Sequence, residues 1–355
     1  TTVSNNTAIG SNSLLANTTG ASNTAVGANS LKTLTTASRN TAVGFEALEL
    51  NTASDNVAVG YLALDTCTTG SNNTAVGAEC MDANTTGEAN VAMGYRTLDS
   101  NTTGSDNVAI GQSALGGNTT ASNNTAVGKD ALLSSTTGTS NVAVGKAAGG
   151  AITTGGGNIM IGPSAGVHGV NLTTGSNNIC IGDSSDVSSG SASGQIALGS
   201  DVSCTGDNNF TFGISSTDSN IAFGATSITA PSDIRLKEDI QDEEVGLDFI
   251  NDLRPVTFLW KKEKDIPSEM KAYKEGSEER TMNGKYNHGF IAQEVKEVID
   301  NHNLKDGFDM WQEDEADGRQ RIAPNAIMSV MVKAVQELST QVDELKAEIQ
   351  TLKGE

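Results

Sequence analysis

A five-residue phrase, Asn-Thr-Ala-Val-Gly with close variants, returns fourteen times between residues 6 and 224, and nothing else in the chain limits its fold as much. The closing glycines are Gly10, Gly27, Gly44, Gly60, Gly77, Gly94, Gly111, Gly128, Gly145, Gly162, Gly182, Gly199, Gly213 and Gly224, at steps of 17, 17 and 16, six of 17, then 20, 17, 14 and 11. Each phrase holds only a few residues of strand. In Asn90-Val91-Ala92-Met93-Gly94, period-two alternation sets Val91 and Met93 on one face and Ala92 on the other. A second apolar point follows four residues after the glycine, as at Leu31, Leu48, Leu64, Met81 and Leu98. An "NTTGS" turn then closes the unit, with Asn or Ser bonding the local backbone and Gly expected to supply a positive φ. A unit this small cannot bury its own apolar face, so the units must stack as parallel coils.

At about 4.8 Å per coil, fourteen coils predict a shaft of roughly 65 Å, with glycines and asparagines aligned as ladders. The larger Val/Ile face is expected inside each roll, and the flat Ala face toward neighbouring copies. The repeats resemble the head repeats of trimeric autotransporter adhesins and the collar-like shafts of viral fibres. That resemblance, not the periodicity, implies three copies around a threefold axis. Low complexity alone would suit disorder, but the regular placing of Val, Ile and Leu argues for a packed interior. The "NTT" and "NNT" triplets match glycosylation acceptors, yet an Asn/Thr-rich repeat produces them automatically.

Charge divides the chain near residue 231. Of the net charge of -21, residues 1–231 carry -10 on 5 basic and 15 acidic side chains, and residues 232–355 carry -11 on 17 and 28. Acidity throughout disfavours nucleic acid or an anionic membrane as a partner. No apolar run approaches the 18 or more residues of a membrane span, and no secretory leader pattern opens the chain. The start at Thr1, without methionine, reads as the sign of a longer parent. Cys67, Cys80, Cys180 and Cys204 are scattered without metal-ligand spacing and read as small buried hydrophobes. No cofactor or metal is expected.

Residues 232–355 have ordinary globular chemistry. The pattern predicts a helix from about Glu243 to Leu253, then a strand containing Phe258 and Trp260; a strand through Phe290 leads to a helix carrying Val295 and Val298. Between these pairs lies a charged insert expected to be mobile. From Met328 a heptad seam of Met331, Val335, Leu338, Val342, Leu345, Ile349 and Leu352 steps by three and four, the mark of a coiled coil. Its Val/Leu alternation alone leans toward two strands; the shaft and the resemblance that follows call for three.

The stretch "PSDIRLKEDI" (231–240), the later "HGFIAQEV" and the terminal coiled coil closely resemble the C-terminal intramolecular chaperone domain of phage tail spikes and fibres, the peptidase S74 domain. The resemblance covers the last 124 residues. It implies a domain that trimerises the nascent fibre, registers its chains and then cuts itself off. By position it assigns the nucleophile to Ser232, its partner to Lys237 and the scissile bond to Pro231–Ser232, with Asp233, Arg235 and His288 in supporting places. A serine hydroxyl needs a base, and a lysine serves only when burial or a cationic neighbour favours its neutral form; Arg235 is close enough in sequence to crowd Lys237. The plainer alternative makes Ser232 a helix cap, Lys237 a solvated residue and His288 a packed structural one.

The expected fold is therefore mainly β, then α+β: a trimeric solenoid shaft over 1–231, a small chaperone domain over 232–325 and its coiled coil over 326–355. The expected function is a viral tail fibre or spike for host-surface attachment, located on the virion, with a cell-surface receptor, a glycan among the possibilities, and other tail proteins as partners. The rival is a bacterial trimeric surface adhesin, or an assembly domain that no longer cleaves. Any enzymology is expected to be one self-cleavage per chain. A polysaccharide-degrading shaft is disfavoured, since residues 1–231 hold only Phe45, Tyr61, Tyr95, Phe210, Phe212 and Phe223 as aromatics, and carbohydrate clefts need aromatic platforms beside paired carboxylates. A membrane-released transcription factor with this domain would need a basic region and a membrane helix, and the sequence has neither.

Overall fold

The computed structural model describes residues 4–225, and from there to 354 all but 226–227, 229–231, 233, 235–236, 269, 271, 283, 305–309 and 314–319. It divides into two compact units, Thr1–Asp233 and Ile234–Glu355.

The first unit is a β-solenoid. Its strands are numbered β1 (Thr7–Ile9) to β14 (Ser219–Ala222) in chain order, and they form one sheet in which each pairs only with its neighbours in sequence. The first thirteen run parallel, at equivalent repeat positions: Thr7 lies opposite Thr24, Ala8 opposite Ala25 and Ile9 opposite Val26. The last step departs from the fourteen-coil expectation. Eleven residues are too few for another circuit, so the chain turns through Ser215–Thr217 and β14 returns antiparallel to β13 (Asn209–Ile214).

The two strand faces lie opposite to the expectation. The central alanines, from Ala25 and Ala42 to Ala126 and Ala143, are fully buried, while flanking Val91 and Met93 are 38% and 48% exposed. Corner side chains explain the reversal. Leu31, Leu48, Leu64, Met81, Leu98, Leu115 and Leu132 are fully buried with the alanines in one continuous core, leaving room above the strand for little more than a methyl group. Native packing tolerates neither a void nor an extra methylene there. One exchange makes the rule visible. Met160 takes the alanine position where the corners are Gly149 and Gly166; a Cβ on Gly166 would lie 2.7 Å from the Met160 sulfur.

Asparagines line the next column. Asn23, Asn40, Asn56, Asn73, Asn90, Asn107, Asn124, Asn141, Asn158 and Asn178 are all fully buried, and each side-chain oxygen accepts the backbone N–H of the next member. Asn90 N donates to Asn73 Oδ1 at 3.0 Å and Asn107 N to Asn90 Oδ1 at 3.1 Å, while Asn90 Nδ2 donates to Gly104 O at 2.9 Å. A buried amide without partners costs several kcal/mol (about 2–7); here the ladder provides them coil by coil. The positive φ also falls elsewhere than predicted. It belongs to the strand-closing glycines, such as Gly77 at +143°, to the second and fourth residues after them, such as Glu79 at +53° and Met81 at +55°, and to the residue two beyond the turn glycine, such as Asn72 at +60°. Turn glycines such as Gly70 are needed for closeness instead: a Cβ there would stand 2.3 Å from Gly87 O.

The second unit is built around Phe249, Leu253, Val295, Ile299, Met310 and Val330. These come from α1 (Leu247–Asp252) with its following residue, α2 (Ala292–Asn301), the segment leading into a small hairpin, and α3 (Met328–Lys353). Helix α1 starts at Leu247, four residues later than the sequence pattern suggests, with Gly246 as its N-cap. Strand β15 (Val256–Phe258) pairs antiparallel with β16 (Asn287–Gly289), leaving Trp260 outside it, and β17 (Trp311–Glu313) pairs with β18 (Gln320–Ile322). The described part of the insert, expected to be mobile, is tied down by ion pairs. Glu263 accepts from Lys274 Nζ and Ser277 Oγ, each at 2.8 Å, and Glu278 pairs with both Lys262 and Lys264.

Candidate functional site

The residues that sequence singled out for self-cleavage lie close in sequence to the boundary of the two units. Ser232 is the next-to-last residue of the first unit and Lys237 the fourth of the second; both are exposed, and the Lys237 backbone N–H donates to Ile234 O at 3.2 Å. Pro231, Asp233 and Arg235 lie outside the described residues. His288 sits on β16 opposite Thr257, its Nδ1 3.3 Å from Thr257 Oγ1. It is exposed, which corrects the reading of it as a packed structural histidine.

The second unit is braced against its terminal helix. The Glu337 carboxylate of α3 lies against Gly246, where a Cβ would stand 2.3 Å from Glu337 Oε2 and displace that side chain. The same carboxylate accepts the Leu247 backbone N–H at 2.8 Å, supplying an acceptor and a negative charge at the first turn. Arg254 and Glu294 join the end of α1 to α2 through a two-pronged ion pair, which holds the guanidinium above its ordinary range. Glu278, between its two lysines, is drawn down to about 2. These pairs are surface features and fix geometry more than they add stability.

Helix α3 contributes only its first turns to that core, burying Val330 and Ala334. Beyond them the heptad residues face solvent, from Val342 at 42% to Leu352 at 86% exposed. Exposed apolar residues at heptad spacing are the pattern that a coiled-coil partner would cover.

The solenoid carries two features that repeat counting alone does not reveal. The first is its outward strand face, where the residue before each closing glycine is apolar in all thirteen parallel strands and none is buried. The second is a column just past the corner: Lys32 and Glu49 paired at 2.7 Å, then the half-buried acids Asp65, Asp82 and Asp99. Burial first, and then the Asp82 charge, raise the Asp65 carboxyl to about 6; burial followed by the Asp99 charge raises Asp82, and burial raises Asp99. Asp65 Oδ1 is buried without a hydrogen-bond partner among the described residues. Laying the repeats in register on their glycines would have exposed this column, because its acids stand five residues after Gly60, Gly77 and Gly94. All four cysteines are buried as expected, with burial pushing the Cys67 and Cys80 thiols up to about 12.

Comparison with known proteins finds a family match in the C-terminal part of the chain. The family model for the chaperone of endosialidase matches residues 232–304, beginning at Ser232. No curated protein matches the chain. No solved structure matches it either. A solenoid of about 17-residue coils followed by this chaperone domain fits a tail-fibre shaft with its assembly domain.

Proposed function

We propose that the chain is a homotrimeric fibre or spike protein whose C-terminal unit aligns three copies, drives solenoid folding and then releases itself by attack of Ser232 on the Pro231 carbonyl. The observation that carries this reading is a coincidence of boundaries. The chaperone match starts at Ser232, just past the last coil, and the unit it opens ends in a helix with an unfilled heptad seam.

The proposed chemistry is a single turnover. Lys237 accepts the hydroxyl proton as the Ser232 oxygen bonds to the Pro231 carbonyl carbon; the Pro231–Ser232 C–N bond then breaks, the new amine takes a proton, and water hydrolyses the ester. Both side chains are exposed in a single chain, and a lysine needs desolvation to act as a base. Cleavage is thus coupled to assembly: the neighbouring copies supply the burial that one chain lacks. Attachment to a host-cell surface, with the protein on a virion, follows from the fibre reading; a bacterial surface adhesin would use the same architecture.

Denaturing gels of the purified full chain test the reading. Wild type should separate into pieces of about 231 and 124 residues; Ser232→Ala should stay whole, and Lys237→Ala should cut at least about 10²-fold more slowly, as for loss of a general base. A folded wild-type trimer that never cuts would leave an assembly domain without protease activity. A cut that persists in Ser232→Ala would remove Ser232 from the mechanism.

A further inference from the structure

The outward strand face has a composition unlike the rest of the solenoid surface. One column, the residues before the closing glycines, is Ile, Val, Met, Leu or Phe throughout; the other, two residues earlier, is Thr, Val, Ile or Phe. Val59, Val144 and Met93 are 36%, 38% and 48% exposed. Phe45 and Tyr61, stacked at 5.7 Å, widen the apolar surface two residues further along their coils. An uninterrupted apolar row of this kind on a soluble surface marks an interaction site.

We infer that this stripe is the surface along which copies of this chain pack laterally, each stripe facing its counterparts in the same axial register. The inference rests on the trimeric reading above and adds the face that is used. Three observations select a copy of the chain over another partner. The apolar positions recur once per coil, about 4.8 Å apart, a spacing that another solenoid of this repeat reproduces along its whole length. No strand residue on this face is charged in any of the thirteen parallel strands, although residues 1–231 carry 20 charged side chains. Identical copies in register would bring like charges together, so a self-facing surface must lack them. Finally, the seam of α3 requires a like helix. Among the described residues the chain has one such helix, so the like helix comes from a second copy, and tethering through α3 raises the effective concentration of its solenoid to about millimolar.

The test uses the full chain with Ser232→Ala, so that the tether remains. Val59→Cys places a thiol on the stripe, Val144→Cys places a second five coils further on, and Thr69→Cys marks an exposed turn of the same coil as Val59. The native cysteines are buried and serve as the background. Mass is measured first by light scattering, and a short bismaleimide is then added at micromolar protein. The expected result is a trimer in which the two stripe variants give covalent dimers at least tenfold more than Thr69→Cys. A trimer cross-linking no better at 59 and 144 than at 69 overturns this inference and leaves the trimeric reading standing. A monomeric parent chain overturns the trimeric reading itself, and the inference with it.

Discussion

At the scale of single residues, the acidic column sets a pH response opposite in sign to that of Asp55 and Asp207, whose carboxyls Arg39 and the Ser193 N–H hold below their ordinary range. Asp65 titrates near 6 when folded against an ordinary 3.8, so between those values the folded chain binds more protons than the unfolded one and stability falls as pH rises. The penalty is absent below about 3.8 and complete above about 6; a shift of two units is an upper bound of about 3 kcal/mol, and screening of a half-buried carboxylate reduces it to about 1 kcal/mol. Thermal melts of the solenoid should therefore drop between pH 4 and pH 7. Asp65→Asn should flatten that drop and raise the midpoint at pH 7; an unchanged slope in the variant would assign the pH dependence to other groups. Sequence reading singled out Ser232 and Lys237 because a local motif marks them, but it passed over Asp65, Asp82 and Asp99. Their perturbation comes first from burial, and for Asp65 and Asp82 next from the acid 17 residues further on, both of which exist only after the coils stack.

At the scale of one coil, strand, corner and turn were all legible from a single repeat, while the direction of the strand was not. Alternation fixes that Val91 and Met93 share a face opposite Ala92; it carries no sign, and the usual preference for large residues inside gave the wrong one. The missing information was volumetric: the corner leucine occupies the interior from the far side, so only alanine fits above the strand, as the Met160 and Gly166 exchange demonstrates. Ala92→Leu should thus overpack the core and cost about 1–3 kcal/mol. Val91→Thr, a residue that neighbouring coils already place in that column at Thr74 and Thr125, should stay within about 0.5 kcal/mol of wild type. The opposite order of midpoints in chemical denaturation would return the Val/Ile face to the interior. The same limit applies to the end of the shaft, where the 11-residue step told of an irregular coil but not of the hairpin that β14 makes.

At the scale of the whole molecule, folding and assembly are one problem. A parallel solenoid gains nothing from its first strand until a neighbour arrives 17 residues later, and each growing end presents unpaired backbone that invites aggregation. Its exposed Val/Ile row adds a second hazard until it is covered. On the proposed function, an assembly domain following the solenoid would resolve both by holding chains side by side in register, which is the work that the seam of α3 is suited to perform. Truncation after Glu337 isolates that function, because Val330, Ala334 and Glu337, the contacts of α3 with its own unit, are retained and only seam residues from Leu338 onward are lost. The truncated chain should keep a folded C-terminal unit by circular dichroism when residues 234–337 are followed within it, yet its solenoid should partition into insoluble material on expression, and any soluble fraction should run as monomer. Supplying the seam again through an unrelated trimeric coiled coil fused at 338 should restore soluble trimers, since what is required is registration and not a particular side chain. Soluble trimers of full stability from the truncated chain alone would show that the outward stripe associates unaided, and that the terminal helix is dispensable for assembly.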